Sequence, residues 1–525
     1  MSSRSTSPAS RLWARAGLAS VVVVAVAAPA VVAASPAHGV RTDHHRTCTE
    51  GDRSSAGCES VRADRSDALT GVPLVNTATS GYTAAQLRTA YRIAGTGSPS
   101  TVIAIVDAYD APTVAADLTK YRSDMGLPPI DTACHVTGAT PSFAISSSAS
   151  GAPCFVRTGQ TGSTSVLPAG NTGWAQEIDL DVQMASAVCP LCSILLVEST
   201  TSGFADLTKA VTTASQFAGV KAISNSYSTA VGTDLSAAAY PAYADAAGKG
   251  IAVTVSTGDS GYGVSFPSTV PQVIAVGGTS MRLNADGSIA SQAAWSGAGS
   301  GCSLYNSPLA WQTTTATTAA CKGKRPVADV SAVADPATGV SVYYSGAWYV
   351  FGGTSVSSPI VGAWLALDGG FSSSRSASQH VWSDLTWADV TSGANGTCTT
   401  KALCSGIAGW DGPTGLGTLP AVAVTTPPPA PPSVSTLTYT GATSATRSSS
   451  VTLSASLTGS GARLSGAVIS FTFNGKTYST TTASSGTGSV KATAPSKAGS
   501  YTVTATYAGS AAYASSSATK TLSVK

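Results

Sequence analysis

The chain has 525 residues, more than one domain usually takes, and only 10% of them are charged, against about 25% in an ordinary soluble protein. Hydrophobic residues at 43% still supply a sizeable core, and Gly, Ala, Ser and Thr fill the place of the missing charge. The formal charge of +3 is matched by Arg4, Arg11 and Arg15 near the start, so the remainder is neutral and offers no basic footprint for nucleic acid.

Residues 1–37 read as a signal peptide, which makes a secreted, extracellular protein the expectation. The three arginines precede an apolar run, Leu18 to Val32, and small-x-small cleavage positions follow Ala34 and Ala37. Pro29 and the shortness of the run argue against an anchor, and no later stretch is long and apolar enough to span a bilayer. Ten cysteines agree with export. By proximity they pair as Cys48 with Cys58, Cys134 with Cys154, Cys189 with Cys192, Cys302 with Cys321, and Cys398 with Cys404, although sequence alone does not decide connectivity. Cys189-Pro-Leu-Cys192 has no second pair or histidine nearby, so a loop staple is favoured over a metal or redox site.

Residues 38–80 are polar and rich in Arg and Asp; they read as a short leader, a loosely folded extension or a reduced propeptide. Thr83 then caps an amphipathic helix over Thr83–Arg92. Apolar strands follow at Thr101–Asp107, Ser193–Glu198, Val220–Ser226, Ile251–Ser256 and Val273–Val276. Helices alternate with them at about Pro112–Met125, Trp174–Val188, Gly203–Phe217 and Leu235–Gly248. Continuous apolar strands separated by helices predict an α/β domain over 81–424, a parallel sheet with helices on both faces. A polyproline linker occupies 425–433. Beyond it, 434–525 carries short alternating runs and an Asn474-Gly475 turn, which predicts a small all-β, immunoglobulin-like sandwich acting as an accessory module.

Three segments carry chemistry. Gly352-Gly-Thr-Ser-Val-Ser-Ser-Pro359 places Ser355 at the start of an apolar helix, where free N–H groups favour developing negative charge; an ordinary capping serine is the plain alternative. A nucleophilic serine needs a base, and the chain has only five histidines. His38, His44 and His45 lie in the signal or leader region; His135 and His380 lack the setting of a triad histidine. Trp174-Ala-Gln-Glu-Ile-Asp-Leu-Asp-Val182 offers carboxylates instead. Glu177 and Asp181 share one helix face, in a largely apolar helix, while Asp179 points elsewhere. Asp259 follows an apolar strand in Thr257-Gly-Asp-Ser-Gly261, at the end where α/β sites collect. A chymotrypsin-like reading with Ser260 as nucleophile fails, because the strand–helix alternation and the histidines are wrong.

Taken in order, these motifs resemble the sedolisins, serine-carboxyl peptidases with a subtilisin-like fold. The likeness runs from about Gly81 to Pro420 and includes Asp389-Val-Thr-Ser-Gly and Gly409-Trp-Asp-Gly-Pro-Thr-Gly-Leu-Gly417. It implies an endopeptidase in which Ser355 attacks, Glu177 exchanges the proton, Asp181 orients Glu177, and a protonated Asp259 donates to the oxyanion beside the Ser355 N–H. It also implies one structural Ca²⁺, held by the carboxylates of Asp389 and Asp411 and the carbonyls of Val390, Ile407 and Gly409. Ile407 stands where the family often has Gly. One carboxyl accepting while another donates predicts an acid optimum, roughly pH 3–5 from carboxyl reference values of about 4. The segment Ala222–Tyr227 is expected to line the cleft for protein or peptide substrates. The family usually has a long folded prodomain, and only about forty residues precede the catalytic pattern here. Two rivals remain open: a catalytically silent scaffold serving as a surface binding or adhesion module, and a subtilisin-like enzyme whose base is His135 or His380.

Overall fold

The computed structural model describes residues 40–68, 72–147, 151–419, 435–459, 461–510, 513 and 515–525. The signal segment at 1–37 and the linker at 425–433 lie outside the described residues. The leader contributes strands β1 (Val40–Arg46) and β2 (Val61–Asp67). The body runs α1 (Ala84–Ala90), β3 (Val102–Ala108), α2 (Val114–Asp124), β4 (Phe155–Gly159), α3 (Thr172–Val188), β5 (Ser193–Ser199), α4 (Phe204–Ala214) and β6 (Val220–Asn225). It continues through α5 (Ala242–Gly248), β7 (Ala252–Ser256), β8 (Ile274–Leu283), β9 (Ile289–Ala294), β10 (Val330–Val333), β11 (Val340–Tyr344), β12 (Ala347–Gly352) and α6 (Thr354–Asp368).

The central sheet has the order β9-β8-β7-β6-β3-β5-β4, with β10 also pairing β8. Every pairing is parallel except β8 with β9. The central strands β3 and β5 are largely apolar because both faces are covered. In β3, Ile103 and Ile105 join the core shared with α3 and α6, while Val102, Ala104 and Val106 join the core shared with α4 and α5. β5 splits the same way, with Ile194 and Leu196 on one side and Leu195 and Val197 on the other. Successive side chains point to opposite faces of a strand, so a strand buried twice loses its polar alternation.

The expected helix over Leu235–Gly248 is shorter. Residues Ala237–Ala239 form one 3₁₀ turn, and Pro241, which has no N–H to donate, caps α5 and prevents continuity. The leader is a paired part of the domain rather than a loose extension. β1 pairs antiparallel with β2, and β2 pairs with β12, so that Val61 faces Gly352 and Ala63 faces Val350. All five sequence-local cysteine pairs form disulfides.

The C-terminal part is all-β: β13 (Ser435–Tyr439), β14 (Ser450–Gly459), β15 (Val468–Phe473), β16 (Lys476–Thr481), β17 (Thr487–Thr493), β18 (Gly499–Tyr507) and β19 (Ser516–Val524). β13, β14 and β17 form one sheet, and β19-β18-β15-β16 the other. Alternate residues from both, such as Leu453, Leu457, Phe471, Val503 and Leu522, meet in one core. Asn474 and Gly475, at φ +49° and +71°, make the two-residue turn between β15 and β16. Among the described residues, no helix is long and apolar enough to cross a membrane.

Candidate active site

Ser355 is the second residue of α6 and is delivered by β12. The link is Gly353 at φ +103°, where a Cβ would stand 2.1 Å from the Glu59 carbonyl oxygen and 2.6 Å from Asp259 Oδ2. Only glycine allows both that backbone and that approach. Pro359 lies inside α6 and cannot donate to the Ser355 carbonyl; the Ser226 hydroxyl donates to it instead, at 3.5 Å. The Ser355 hydroxyl donates to the Ser226 carbonyl at 3.3 Å, and the Ser355 N–H donates to the Glu59 carbonyl at 3.1 Å.

α3 supplies the carboxyls. Asn171 caps it by accepting from the Gly173 and Trp174 N–H groups, and every residue from Trp174 to Val188 is buried. Glu177 and Asp181 sit on the face turned to the Ser355 region, and none of their carboxyl oxygens has an ordinary hydrogen-bond partner. Burial first, then the charge of Asp107, holds Glu177 well above the usual carboxylate range. The Ser355 and Ser60 hydroxyls lie close enough to Glu177 to pull against that rise, though neither closes a bond of ordinary geometry. Asp181 is raised by burial, by Asp107 and by Glu177, with the Ser226 hydroxyl opposing. Asp179 points away, as expected: it accepts from Gln183 Nε2 at 3.2 Å and feels Asp117.

Asp107 escaped the sequence reading. It is the next-to-last residue of β3, is fully buried with neither carboxyl oxygen partnered, and is pushed up to about 8 by burial. Its signal was available, since the C-terminal ends of parallel strands are where polar site residues collect. Asp107, Glu177 and Asp181 form one buried carboxyl cluster. Like charges so placed ionise one at a time, so the cluster holds protons that solvent-exposed carboxyls would have lost.

Asp259 stands across the Ser355 helix start from this cluster. Its Oδ1 accepts from the Thr354 N–H at 2.7 Å and the Thr354 hydroxyl at 2.8 Å, while its Oδ2 is buried with no partner. Burial, then the charge of Glu59, pushes it up to about 8, against Arg46 and the Thr354 bonds. Below that value the carboxyl carries a proton, and Oδ2 can donate a hydrogen bond. Neither candidate histidine competes. His380 bonds Asp368 at 2.6 Å and Asp384 at 2.8 Å, at the far end of α6, about 20 Å from Ser355 at 1.5 Å per residue. His135 is exposed in a hairpin, opposite Ser146.

A second cluster lies in the loop from 389 to 411, clipped by Cys398–Cys404. The Gly409 N–H donates to Asp389 Oδ2 at 2.8 Å and the Ile407 N–H to Asp411 Oδ2 at 3.0 Å. Asp411 is pushed up to about 7 by burial, with the Asp389 charge adding to the rise. Asp389, Val390, Ile407, Gly409 and Asp411 thus share one oxygen-rich loop, in which the two carboxylates repel. Among the described residues, no three His, Cys, Asp or Glu side chains converge as a metal site; two carboxylates with three backbone carbonyls are not such a cluster.

No family model matches the sequence. The chain is 33% identical over 208 residues to sedolisin of Pseudomonas sp. (strain 101), covering 34% of this chain and 35% of that protein. It is 30% identical over 298 residues to kumamolisin of Bacillus sp. (strain MN-32), covering 51% of this chain and 53% of that protein. The chain therefore spans between about a third and a half of the length of these two relatives. Among solved structures it is similar to Pseudomonas sedolisin, a serine-carboxyl proteinase complexed with two molecules of pseudo-iodotyrostatin, with a TM-score of 0.51 and 25% identity over 66% of this chain and 96% of that one. In sequence and in fold, the chain is similar to the serine-carboxyl peptidases of the sedolisin family.

Proposed function

We propose that the protein is a secreted serine-carboxyl endopeptidase that hydrolyses protein or peptide substrates at acid pH. The observation that carries this is a helix-start serine set between a buried carboxyl cluster and a second buried carboxyl, with His135 and His380 both placed elsewhere. Ser355 attacks the carbonyl carbon of the substrate. Glu177 takes the hydroxyl proton and returns it to the leaving amine. Asp181 and Asp107 hold Glu177 within a shared-proton cluster, which sets when it can accept. The Ser355 N–H and the Asp259 carboxyl stabilise the oxyanion. The segment that follows β6, Ser226 to Ser228, presents its backbone to the non-primed side of the substrate. The similarity to sedolisin and kumamolisin supports the reaction class.

The loop at 389–411 fits one Ca²⁺. Asp389, Asp411 and the carbonyls of Val390, Ile407 and Gly409 are hard oxygen donors, and the charge of two neighbouring carboxylates calls for a cation. When bound, the ion cross-links the loop and takes no part in the chemistry. The sandwich at 434–525 is read as an immunoglobulin-like accessory module, supported by its two facing sheets and shared core.

The test is hydrolysis of an unfolded protein from pH 2 to 9 by wild type and Ser355→Ala. The expected result is a maximum on the acid side of neutrality, where Asp259, pushed up to about 8, keeps its proton, and no activity in Ser355→Ala. A maximum near pH 8, or activity that survives Ser355→Ala, contradicts the proposal.

A further inference from the structure

The leader crosses the active site as an extended strand, and its contacts are those a peptide substrate would make. On one side of Ser355, Gly57 and Cys58 pair antiparallel with Ser228 and Tyr227, and the Glu59 N–H donates to the Ser226 carbonyl at 3.1 Å. On the other side, Val61 pairs antiparallel with Gly352. Between them the Glu59 carbonyl accepts from the Ser355 N–H at 3.1 Å, the position of an oxyanion donor. Gly353 has no side chain, and that absence is what lets the carbonyl come so close. Ser60, on the leaving-group side, is fully buried and turns its hydroxyl toward Glu177.

The Glu59 side chain fills a small polar pocket. Its Oε1 accepts from the Ser228 hydroxyl at 2.6 Å, and its Oε2 accepts from Arg46, itself in the leader, at 2.8 Å. The pocket wall sets small residues, Gly258, Gly261 and Gly299 among them, beside Val231 and the Glu50 and Asp259 carboxyls. Glu59 is only 2% exposed. The Cys48–Cys58 disulfide and the pairing of β1 with β2 hold this segment in register from the leader side.

From this geometry we propose that the Glu59–Ser60 peptide bond is the protein's own first substrate, cut in cis by Ser355, and that the pocket holding Glu59 selects glutamate before the scissile bond. The inference rests on the peptidase reading and deepens it by naming the bond and the side chain. Ser355 Oγ bonds to the Glu59 carbonyl carbon as its proton passes to Glu177. The Glu59 C–Ser60 N bond breaks, and Glu177 returns the proton to the Ser60 amine. Water then cleaves the Glu59 ester, leaving a free Glu59 carboxyl, a free Ser60 amine and a restored Ser355 hydroxyl. Both cysteines of the 48–58 ring lie on the Glu59 side, so the excised piece stays closed and leaves only when β1 unpairs from β2. Until then the same contacts keep other peptides out.

The test is N-terminal sequencing and intact mass of full-length wild type and Ser355→Ala, purified and incubated between pH 4 and 7, with digestion of an unfolded protein measured on the same samples. A new terminus at Ser60 in wild type and its absence in Ser355→Ala is the expected result. No Ser60 terminus in wild type, or its appearance in Ser355→Ala, overturns the proposal. Digestion of the added protein without a Ser60 terminus sinks this inference alone, whereas loss of both sinks the peptidase reading too. Glu59→Lys is expected to slow the cut at least about tenfold and Glu59→Gln to slow it less, since the amide keeps the size and can still bond Ser228. An unchanged rate in Glu59→Lys removes the claim on specificity.

Discussion

Asp259 shows how one residue type serves opposite ends. In the buried pocket beside Thr354 it is pushed up to about 8 and keeps its proton at neutral pH, while the proposed mechanism needs a carboxyl of the α3 cluster to accept one. Donation, not charge, is the role proposed for it. Asp259→Ala is therefore expected to lower kcat by about 10²–10³, the usual cost of removing an oxyanion donor. Asp259→Asn, which can still donate, should lose markedly less. Equal losses in the two variants would show that the proton is irrelevant. Much of this residue-scale picture was legible in the sequence: Ser355, Glu177, Asp181 and Asp259 were singled out, and the structure gathers them around one helix start. Asp107 was not, because an aspartate ending an apolar strand looks like any turn residue until the strand's neighbours are known. The contacts of Glu59 and Ser60 with the Ser355 region were hidden for a different reason. They depend on a pairing between β2 and β12, across nearly 300 residues of chain, which no local pattern records.

At the scale of elements, periodicity served best where both faces are buried. The core strands β3, β5, β6 and β7 fell where apolar runs placed them, whereas β4, β9 and β10 lack a continuous apolar run and were not seen. The helix breaking at Pro241 was a missed local signal. The loop at 389–411 is the element whose behaviour is most exposed to test. If Ca²⁺ bridges Asp389 and Asp411, a hundredfold excess of the ion over its Kd stabilises the fold by about 2.7 kcal/mol. Chelation should lower Tm by several degrees, and Asp389→Asn should lower it similarly while becoming insensitive to the chelator. A wild-type Tm that ignores both calcium and chelator would remove the ion from this loop. Cys398–Cys404 closes only a short loop, so the expected effect of opening it is weaker calcium binding with little loss of stability in calcium excess.

At the scale of the molecule, low charge and raised pKa values combine into a preference for acid. Asp107, Asp259 and Glu198 titrate at about 8, about 8 and about 9, and Glu177, Asp181 and Asp179 are also raised, all chiefly by burial. An acid whose folded pKa is raised holds its proton more tightly in the native state than in the unfolded chain. Its stabilising effect is complete below the unfolded value of about 4 and is lost as pH climbs toward the folded value. Asp206 and Asp384 shift the other way but lie near the surface, where water screens them. With calcium saturating, Tm should therefore be highest near pH 4 and fall steadily to pH 8; a Tm that rises over that window would contradict the burial of protonated carboxyls. The two folded bodies have separate cores, so a chain ending before residue 425 should keep its full kcat on an unfolded protein, and a large loss would give the sandwich a part in catalysis. What the whole arrangement claims is that a carboxyl, not an imidazole, activates Ser355. The direct measurement is kcat at pH 4 for Glu177→Gln and His380→Ala on an unfolded protein: the first should fall by about 10²–10⁴ and the second by little, whereas an active Glu177→Gln beside a dead His380→Ala would contradict the claim.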